Sequence, residues 1–543
     1  MVFVMLTRLP PEHCRPAPSA RESVWLLLLM AFAWLWPGVF SHDLWNPAEP
    51  QLFAVISETA DKTAWLPTLQ GEPYFQVAPV YVWLAKTWQT LLSPHWADAY
   101  AAARFASVSF TALGLTAAGM SAYLLFGRYC GRATVLILIG SAGMLGMGHF
   151  LGAMSVVFAG TALALWGMAW LRRNTAAGII VTAAGAVLLG QSAGWLAAAG
   201  VMAVLLLWLR YSPCEARQGL VAALVGLPVC VLPALAVQLA VLAKTDAVAF
   251  DLYVHHYLFG AFGGMAGLKA GFYGGYYLQN LLWFAFPAWA LAGWTAHSGK
   301  HLLRQPSARL LLCWAAVFVP FVLLQPQRFQ DHLLLLLPAL AVFGSARLDY
   351  LRRGVAAFLN WFGIAAFGAA ALFLWLGFLA MNFGFPAKLA ERAAYFSPDY
   401  LPKISPFPIT VALLFTPLWV WAITRKHIRG RQAVSNWAAG VTLVWALLMT
   451  LFLPWLDAAK SYRPLVAKIE AALPAGECLS IDPHASEAAL AWAQYATVPA
   501  AAHCRYRLRQ YNPQQQHAPA GKTVWQGRRP RNKTEAFVLI DTQ

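Results

Sequence analysis

Residues 43–84, DLWNPAEPQLFAVISETADKTAWLPTLQGEPYFQVAPVYVWL, decide the interpretation of this chain, because they place acidic residues directly after its first long apolar run. Five of the 22 Asp and Glu residues fall in this segment, although only 11% of the 543 residues are charged. Ionisable groups beside apolar spans are costly and often functional. Acid or base chemistry is therefore expected here.

The composition around this segment is that of an integral membrane protein. Apolar residues make up 60% of the chain, and the mean hydropathy is +0.56, whereas a soluble domain is only about half apolar. We count about thirteen apolar runs of the roughly 20 residues that a membrane crossing needs. The sequence thus predicts an all-α polytopic domain over residues 22–458.

The placement of the basic residues predicts the orientation of the chain. The net charge is +17, which in a soluble protein would favour nucleic acid as a partner. Here the basic residues recur in every second loop, which is the positive-inside pattern of membrane proteins. It predicts a cytoplasmic leader at residues 1–21, a retained first helix, a first external loop at 42–98 and an external tail. The location expected is a bacterial inner membrane, with the carboxy terminus in the periplasm and no nucleic acid partner.

The tail, residues 459–543, has the pattern of a small α/β domain. ECLSID (477–482) and AFVLID (536–541) are typical of strands, and ASEAALAWAQYA (485–496) of an amphipathic helix. Cys478 and Cys504 both lie in this tail, and an oxidising compartment would permit a disulfide between them. The alternative is two separate buried thiols.

Two short helices are predicted within the first external loop. Asn46-Pro47-Ala48-Glu49 is a helix start in which Asn46 caps, Pro47 occupies the first turn and Glu49 stands at the capping-box position. A second amphipathic stretch runs from Pro79 to Leu92 and carries tryptophans suited to a lipid headgroup interface. Together the two helices would form a lid over a cavity at the outer leaflet.

The loop resembles the first periplasmic loop of GT-C superfamily glycosyltransferases, in the branch of bacterial aminoarabinose transferases and protein O-mannosyltransferase relatives. Members show W-x-P-D-E-x-R-Y-A-E-I-S, then a tryptophan and proline, then G-x-x-Y-F-E-K-P and Y-W. The matching residues, with two single-residue insertions allowed, are Trp45, Pro47, Glu49, Ala54, Ile56, Ser57, Trp65, Pro67, Gly71, Tyr74, Phe75, Pro79, Tyr81 and Trp83. A later segment, QPQRFQDHLLLLLPALAVF (325–343), also resembles the family.

The resemblance implies transfer of a sugar from a polyprenyl-phosphate donor to an acceptor glycolipid or protein at the periplasmic face. A carboxylate would take the acceptor's proton or hold a divalent metal, and a cation would stabilise the departing phosphate. The chain departs from the family at three places. Ala48 stands at the catalytic Asp position, Gln76-Val77 replaces Glu-Lys, and residues 255–259, HHYLF, lack the Glu and Arg of a Glu-His-x-x-Arg motif.

Glu49 and Asp43 are the catalytic candidates. Glu49 matches the second acid of the family motif, with a capping-box residue as the alternative. Asp43 precedes Ala48 by five residues and could replace the missing acid, with a solvated interfacial Asp as the alternative.

The substrate-binding candidates come partly from the motif and partly from chemistry. Arg328 suits a lipid phosphate, unless it makes an ordinary headgroup contact or an ion pair with Asp331. His255 and His256 suit a metal or a phosphate, although adjacent histidines point in different directions. The substrate-binding set is Tyr74, Gln76, Tyr81, His256, Arg328 and His332, and the metal set is His255 and His256.

Two other functions are compatible with the sequence. A GT-C fold without the usual acids could be a non-catalytic lipid-binding or regulatory partner. A lipid or solute transporter is disfavoured because no inverted repeat is evident. An outward cavity with converging carboxylates and Arg328 would favour the enzyme.

Overall fold

The computed structural model describes residues 24–40, 42–45, 48–59, 65–211, 214–259, 272–325, 327–424, 429–482 and 486–542. The predicted leader and the cap residues Asn46 and Pro47 lie outside these ranges. The α-helices are α1 Val24–Leu35, α2 Ala48–Glu58, α3 Pro79–Leu92, α4 Ala99–Phe126, α5 Arg128–Ile139, α6 Gly143–His149, α7 Met154–Trp170, α8 Thr175–Ser192, α9 Trp195–Tyr211, α10 Cys214–Thr245, α11 Ala247–Leu252, α12 Gly274–Phe284, α13 Ala288–Ser298, α14 Pro306–Leu323, α15 Leu337–Ser345, α16 Arg353–Phe383, α17 Ala387–Phe396, α18 Pro406–Thr424, α19 Arg429–Leu451, α20 Leu453–Lys460, α21 Arg463–Ala472 and α22 Ser486–Tyr495.

The protein is a multi-pass membrane protein. Within the described ranges, seven helices are long and apolar enough to cross a bilayer, and an eighth span results if the bent pair α5 and α6 is counted as one. Three further apolar helices, α1, α7 and α9, have only 12 to 17 residues. The expected number of thirteen spans is therefore not confirmed, because several apolar runs form short or broken helices.

Small residues let the helices of the bundle approach closely. A Cβ atom on Gly167 of α7 would lie 2.3 Å from the backbone nitrogen of Thr182 on α8, and one on Gly185 of α8 would lie 2.4 Å from that of Ala164. Close contact between backbones is a common basis of helix association in membranes, where apolar burial gives little advantage over lipid. Larger residues at these positions would push α7 and α8 apart.

The loop between α1 and α4 folds onto the start of α4. Asp98 caps α4 by accepting a hydrogen bond from Ala101 N at 2.7 Å. The predicted helices are present as α2 and α3, and between them lies a two-stranded hairpin, β1 Thr68–Leu69 and β2 Glu72–Pro73. Leu52, Phe53 and Ile56 of α2 are buried in a cluster with α3 and α4. This packing holds the acidic segment against the membrane domain.

The carboxy-terminal region is a small α/β domain with strands and a helix at the expected positions. Its strands are β3 Leu479–Ile481, β4 Tyr506–Tyr511, β5 Lys522–Gly527 and β6 Ala536–Asp541, in the sheet order β3-β4-β6-β5. Only β3 and β4 are parallel. Helices α21 and α22 share an apolar core with the sheet. Cys478 and Cys504 form a disulfide, with Cα atoms 5.4 Å apart.

Candidate functional site

Glu49 lies at the centre of a buried ion pair, which we call the inner junction and define as Glu49, Arg104, Trp45 and Leu151. Its Oε1 accepts hydrogen bonds from Arg104 Nε and Leu151 N, each at 2.9 Å. Its Oε2 accepts from Trp45 N at 2.9 Å and from Arg104 Nη2 at 3.2 Å. Glu49 is 3% exposed and Arg104 is fully buried. Each carboxylate oxygen thus has two donors, and the bond from Trp45 N, one residue before the predicted cap Asn46, ties Glu49 to the backbone that precedes α2.

The inner junction keeps Glu49 ionised. Burial opposes ionisation of this carboxyl, but the charge of Arg104 and the hydrogen bonds from Arg104 and Trp45 outweigh burial and lower its pKa. A carboxylate with a depressed pKa and four donors is a poor base, because proton uptake would break the ion pair. In this arrangement Glu49 positions the loop.

Arg104 also hydrogen-bonds the first residues of the loop, His42 and Asp43. Its Nη1 donates to the carbonyl of His42 at 3.0 Å, and its Nη2 donates to the carbonyl of Asp43 at 2.8 Å. Sequence reasoning missed this residue. The available signal was that Arg104 is the lone charged residue in the α4 sequence, and intramembrane charges usually have a named partner.

His42 is buried next to this guanidinium. Burial, and then Arg104, lower the pKa of His42 to about 4. The imidazole is therefore neutral at pH 7, and only one of its two ring nitrogens can donate at a time. The nitrogens face the carbonyls of Asp43 and Gly38 at 2.7 and 2.8 Å.

Asp43 joins the loop to the carboxy-terminal domain in what we call the outer junction, defined as Asp43, Asp457, Ser461 and Arg463. Its carboxylate accepts from Arg463 Nη2 at 2.7 Å and from Ser461 Oγ at 2.8 Å. The side chain of Asp43 is 16% exposed and that of Arg463 is 57% exposed. The outer junction is therefore open to solvent on the side of Arg463.

Asp457, in α20 just before the carboxy-terminal domain, is a second functional candidate that sequence reasoning missed. Its Oδ1 accepts from Trp45 Nε1 at 2.8 Å and from Asp43 N at 3.1 Å. Burial raises its pKa to about 7, and the neighbouring Asp43 charge adds to that shift. Such a perturbed carboxyl is typical of proton-transfer sites. No sequence motif marked it, because Asp457 lies more than 400 residues from Trp45 along the chain.

Tyr81 is fully buried behind the loop. Its hydroxyl lies 2.8 Å from Ser107 Oγ on α4 and accepts a hydrogen bond from Gly152 N at 3.1 Å. These contacts fasten α3 to the membrane domain.

Tyr74 and Gln76 lie in the part of the loop between β2 and α3. Tyr74 OH donates to Gln76 Oε1 at 3.3 Å, and Phe75 between them packs against Tyr253 and Tyr257. Those tyrosines begin and end a π-helical turn, Tyr253–Tyr257, that carries the adjacent histidines. The structure therefore brings the second half of the loop motif next to the His-His segment.

His255 and His256 line an open surface depression beside α11. His255 Nδ1 lies 3.2 Å from Asp251 Oδ1, and both side chains are more than half exposed. Across the described ranges, no group of three His, Cys, Asp or Glu side chains is placed to hold a metal ion. Two ligands on one exposed helical turn are fewer than a stable metal site usually has.

Arg328 and His332 belong to a third cluster, in the turn before α15. The Arg328 guanidinium lies 5.3 Å from the centre of the Tyr273 ring. His332, fully buried, has its Nδ1 2.7 Å from Tyr277 OH. A cation over an aromatic ring is attracted to its face, and a guanidinium is well suited to bind phosphate.

Comparison with solved structures gives the fold. The chain matches ArnT from Cupriavidus metallidurans in the apo state with a TM-score of 0.63, at 15% identity, over 96% of this chain and 98% of that one. It matches the same organism's ArnT bound to undecaprenyl phosphate with a TM-score of 0.61, at 16% identity, over 95% and 97% of the two chains. The chain has the GT-C fold. The predicted resemblance is confirmed at the level of the fold.

Other comparisons are weaker or negative. The archaeal oligosaccharyltransferase AglB from Archaeoglobus fulgidus matches with a TM-score of 0.42, at 13% identity, over 85% of this chain and 62% of that one. No protein-family model and no curated protein sequence matches the chain. The GT-C assignment therefore rests on three-dimensional similarity and on the loop residues.

Proposed function

We propose that this GT-C protein is a glycosyltransferase that moves a sugar from a polyprenyl-phosphate donor to an acceptor glycolipid or protein at the external face of the bacterial inner membrane. The observation that supports it most is the GT-C likeness over nearly the whole chain, including the carboxy-terminal domain. A matched structure of the same fold binds undecaprenyl phosphate. A fold alone does not define a reaction, so the roles below are argued from the chemistry of the residues.

The acceptor hydroxyl needs a group that can take its proton. Glu49 already accepts four hydrogen bonds inside the inner junction, whereas Asp457 is only partly buried and has a pKa of about 7. A base with a pKa near the working pH is the most effective proton acceptor. We therefore assign proton transfer to Asp457, orientation of Asp457 to the backbone of Asp43, and support of the loop to Glu49.

The donor phosphate needs a cation. Arg328, whose guanidinium lies over the Tyr273 ring, is the candidate in the described residues that combines an exposed guanidinium with a place in the family-like segment 325–343. Guanidinium groups bind phosphate through two parallel hydrogen bonds. In this proposal His332 and Tyr277 support the turn that carries Arg328.

A second function, a lipid-binding partner without catalysis, is favoured by one specific observation. Ala48 stands where the family motif has its catalytic Asp, and the adjacent Glu49 is committed to Arg104. A chain that keeps the fold and the buried ion pair while lacking the acid could bind a polyprenyl lipid without transferring its sugar.

Mass spectrometry of envelope glycolipids and glycoproteins from a deletion strain separates the two functions. The strain is complemented with the wild-type gene, Asp457→Asn, and a matched control, Glu391→Gln, which changes an exposed carboxylate on the external helix α17. Immunoblots confirm equal protein levels. We expect a sugar-sized mass to disappear on deletion and return with wild type and the control, but not with Asp457→Asn. An unchanged glycan profile on deletion would contradict transfer, and full rescue by Asp457→Asn would remove that residue from the reaction.

A further inference from the structure

A lateral groove of about 560 Å³ opens in the membrane domain away from the external loop. It lies between α1, α5, α18 and α19, and its walls are almost entirely apolar along α1 and α18. Representative wall residues are Leu29, Phe32, Val411, Leu414, Leu418 and Leu443. An elongated apolar groove on the flank of a membrane domain has the shape and chemistry of an acyl-chain site.

One end of the groove is basic. Arg132 on α5 and Arg431 on α19 both line it, and the Arg431 guanidinium lies 4.1 Å from the centre of the Tyr129 ring. Asp349 binds Arg431 with a 2.7 Å hydrogen bond from Nε to Oδ1. Arg132 and Arg431 thus bring two guanidinium groups to one end of the groove, and the ring and Asp349 hold Arg431 in place.

The basic end lies opposite to the external loop. Arg132 is in the first turns of α5 and Arg431 is in the first turn of α19, and the basic-loop pattern assigns these starts to the cytoplasmic side. The acidic junctions around Glu49 and Asp43 follow the far end of α1. A ligand held here is therefore separate from the donor and acceptor of the proposed transfer.

Helix α18 packs on α16 and α19 along one side, which includes a hydrogen bond from Trp375 to Thr416, and it exposes much of its remaining surface. Of its 19 residues only Ala412 is buried, and across the groove α1 exposes Trp25 and Phe32 by 78% and 61%. An apolar ligand between the two helices would add packing contacts that neither helix makes with the other.

We propose that the lateral groove binds one anionic glycerophospholipid of the cytoplasmic leaflet, with an acyl chain between α1 and α18 and its phosphate at Arg132 and Arg431. The two guanidinium groups at the basic end favour an anionic headgroup over a zwitterionic one. Basic sites between spans on the cytoplasmic side are suited to such lipids. The lipid bridges α1 and α18, and this role does not depend on the sugar transfer proposed above.

Native mass spectrometry and thermal unfolding of the purified full chain in detergent test the proposal. Phosphatidylglycerol and phosphatidylcholine with identical acyl chains are titrated separately. We expect phosphatidylglycerol to bind about fivefold more tightly and to raise the unfolding temperature more. Equal binding of the two lipids would overturn the selection of an anionic headgroup.

Variants locate the binding site. Arg132→Gln is expected to abolish the preference for phosphatidylglycerol, whereas Arg128→Gln, an exposed arginine one turn earlier on α5, is expected to keep it. Because Arg431→Gln alone would strand Asp349, it is made together with Asp349→Asn. Ala422→Phe, which fills the groove from α18, is expected to weaken binding of both lipids. If the Arg132→Gln and Ala422→Phe proteins bind both lipids as wild type does, the proposal is wrong.

Discussion

The inner and outer junctions each contain a carboxylate, but the two carboxylates serve different purposes. Glu49 and Asp457 are both carboxylates bonded to Trp45, one through its backbone nitrogen and the other through its indole nitrogen. Arg104 bonds Glu49 directly and lowers its pKa, whereas the ion pair of Arg463 is with Asp43, and burial raises the pKa of Asp457 to about 7. The cation that faces a buried carboxyl, more than its sequence motif, decides whether that carboxyl supports structure or can exchange a proton.

The sharpest way to test the structural half of this comparison is to break the inner junction. Glu49→Gln leaves Arg104 buried without its counter-ion, and loss of one partner of a buried pair costs about 3–5 kcal/mol. We expect a large fall in the unfolding temperature in detergent and a lower yield of folded protein. The double variant Glu49→Gln with Arg104→Gln should recover part of the loss, because neither charge is then stranded. Wild-type stability in Glu49→Gln would show that the pair is not structural.

Asp457→Asn tests whether Asp457 can exchange a proton, through the pH dependence of protein stability. The pKa of Asp457 in the folded protein, about 7, exceeds its ordinary value of 3.8, so the folded state holds a proton that the unfolded state releases. Its contribution to stability is therefore fully present below pH 4 and is lost as pH rises through 7, by on the order of 2 kcal/mol for this partly buried group. We expect the unfolding temperature of wild type to fall from pH 5 to pH 8 more than that of Asp457→Asn. Burial also raises the pKa of Glu535 to about 7, and Glu535 contributes the same pH dependence to the stability of both proteins. Identical pH profiles would contradict the assignment.

The smallest effect is expected at the exposed side of the outer junction. Arg463→Gln removes the ion pair with Asp43, and a pair with a half-exposed arginine contributes about 0.5–1 kcal/mol. A double-mutant cycle with Asp43→Asn, followed by thermal unfolding at low and high salt, measures this coupling. We expect a coupling energy below about 1 kcal/mol that decreases with salt. A coupling energy as large as that of the Glu49–Arg104 pair would contradict the distinction between the inner and outer junctions.

Much of the architecture follows from local sequence patterns. The apolar runs indicated the membrane domain, the alternating and amphipathic patterns of the tail indicated its strands and helix, and the loop residues indicated the GT-C likeness. The number of spans did not follow, because hydropathy counts apolar runs and does not register breaks such as the 84° bend between α5 and α6. Arg104 and Asp457 were missed because their partners are distant in sequence.

By itself the sequence determined that the chain enters a membrane, has an acidic loop after its first apolar run and carries a small α/β domain with two cysteines, since these features depend on composition and on the period of apolar residues. Only the tertiary structure decided which acid pairs with which base. Glu49 and Asp43 stand six residues apart, yet their cations come from α4 and α21, separated by more than 350 residues. Ionisation of a carboxyl depends on burial and on charges within a few ångströms, and those neighbours are set by packing and not by spacing along the chain.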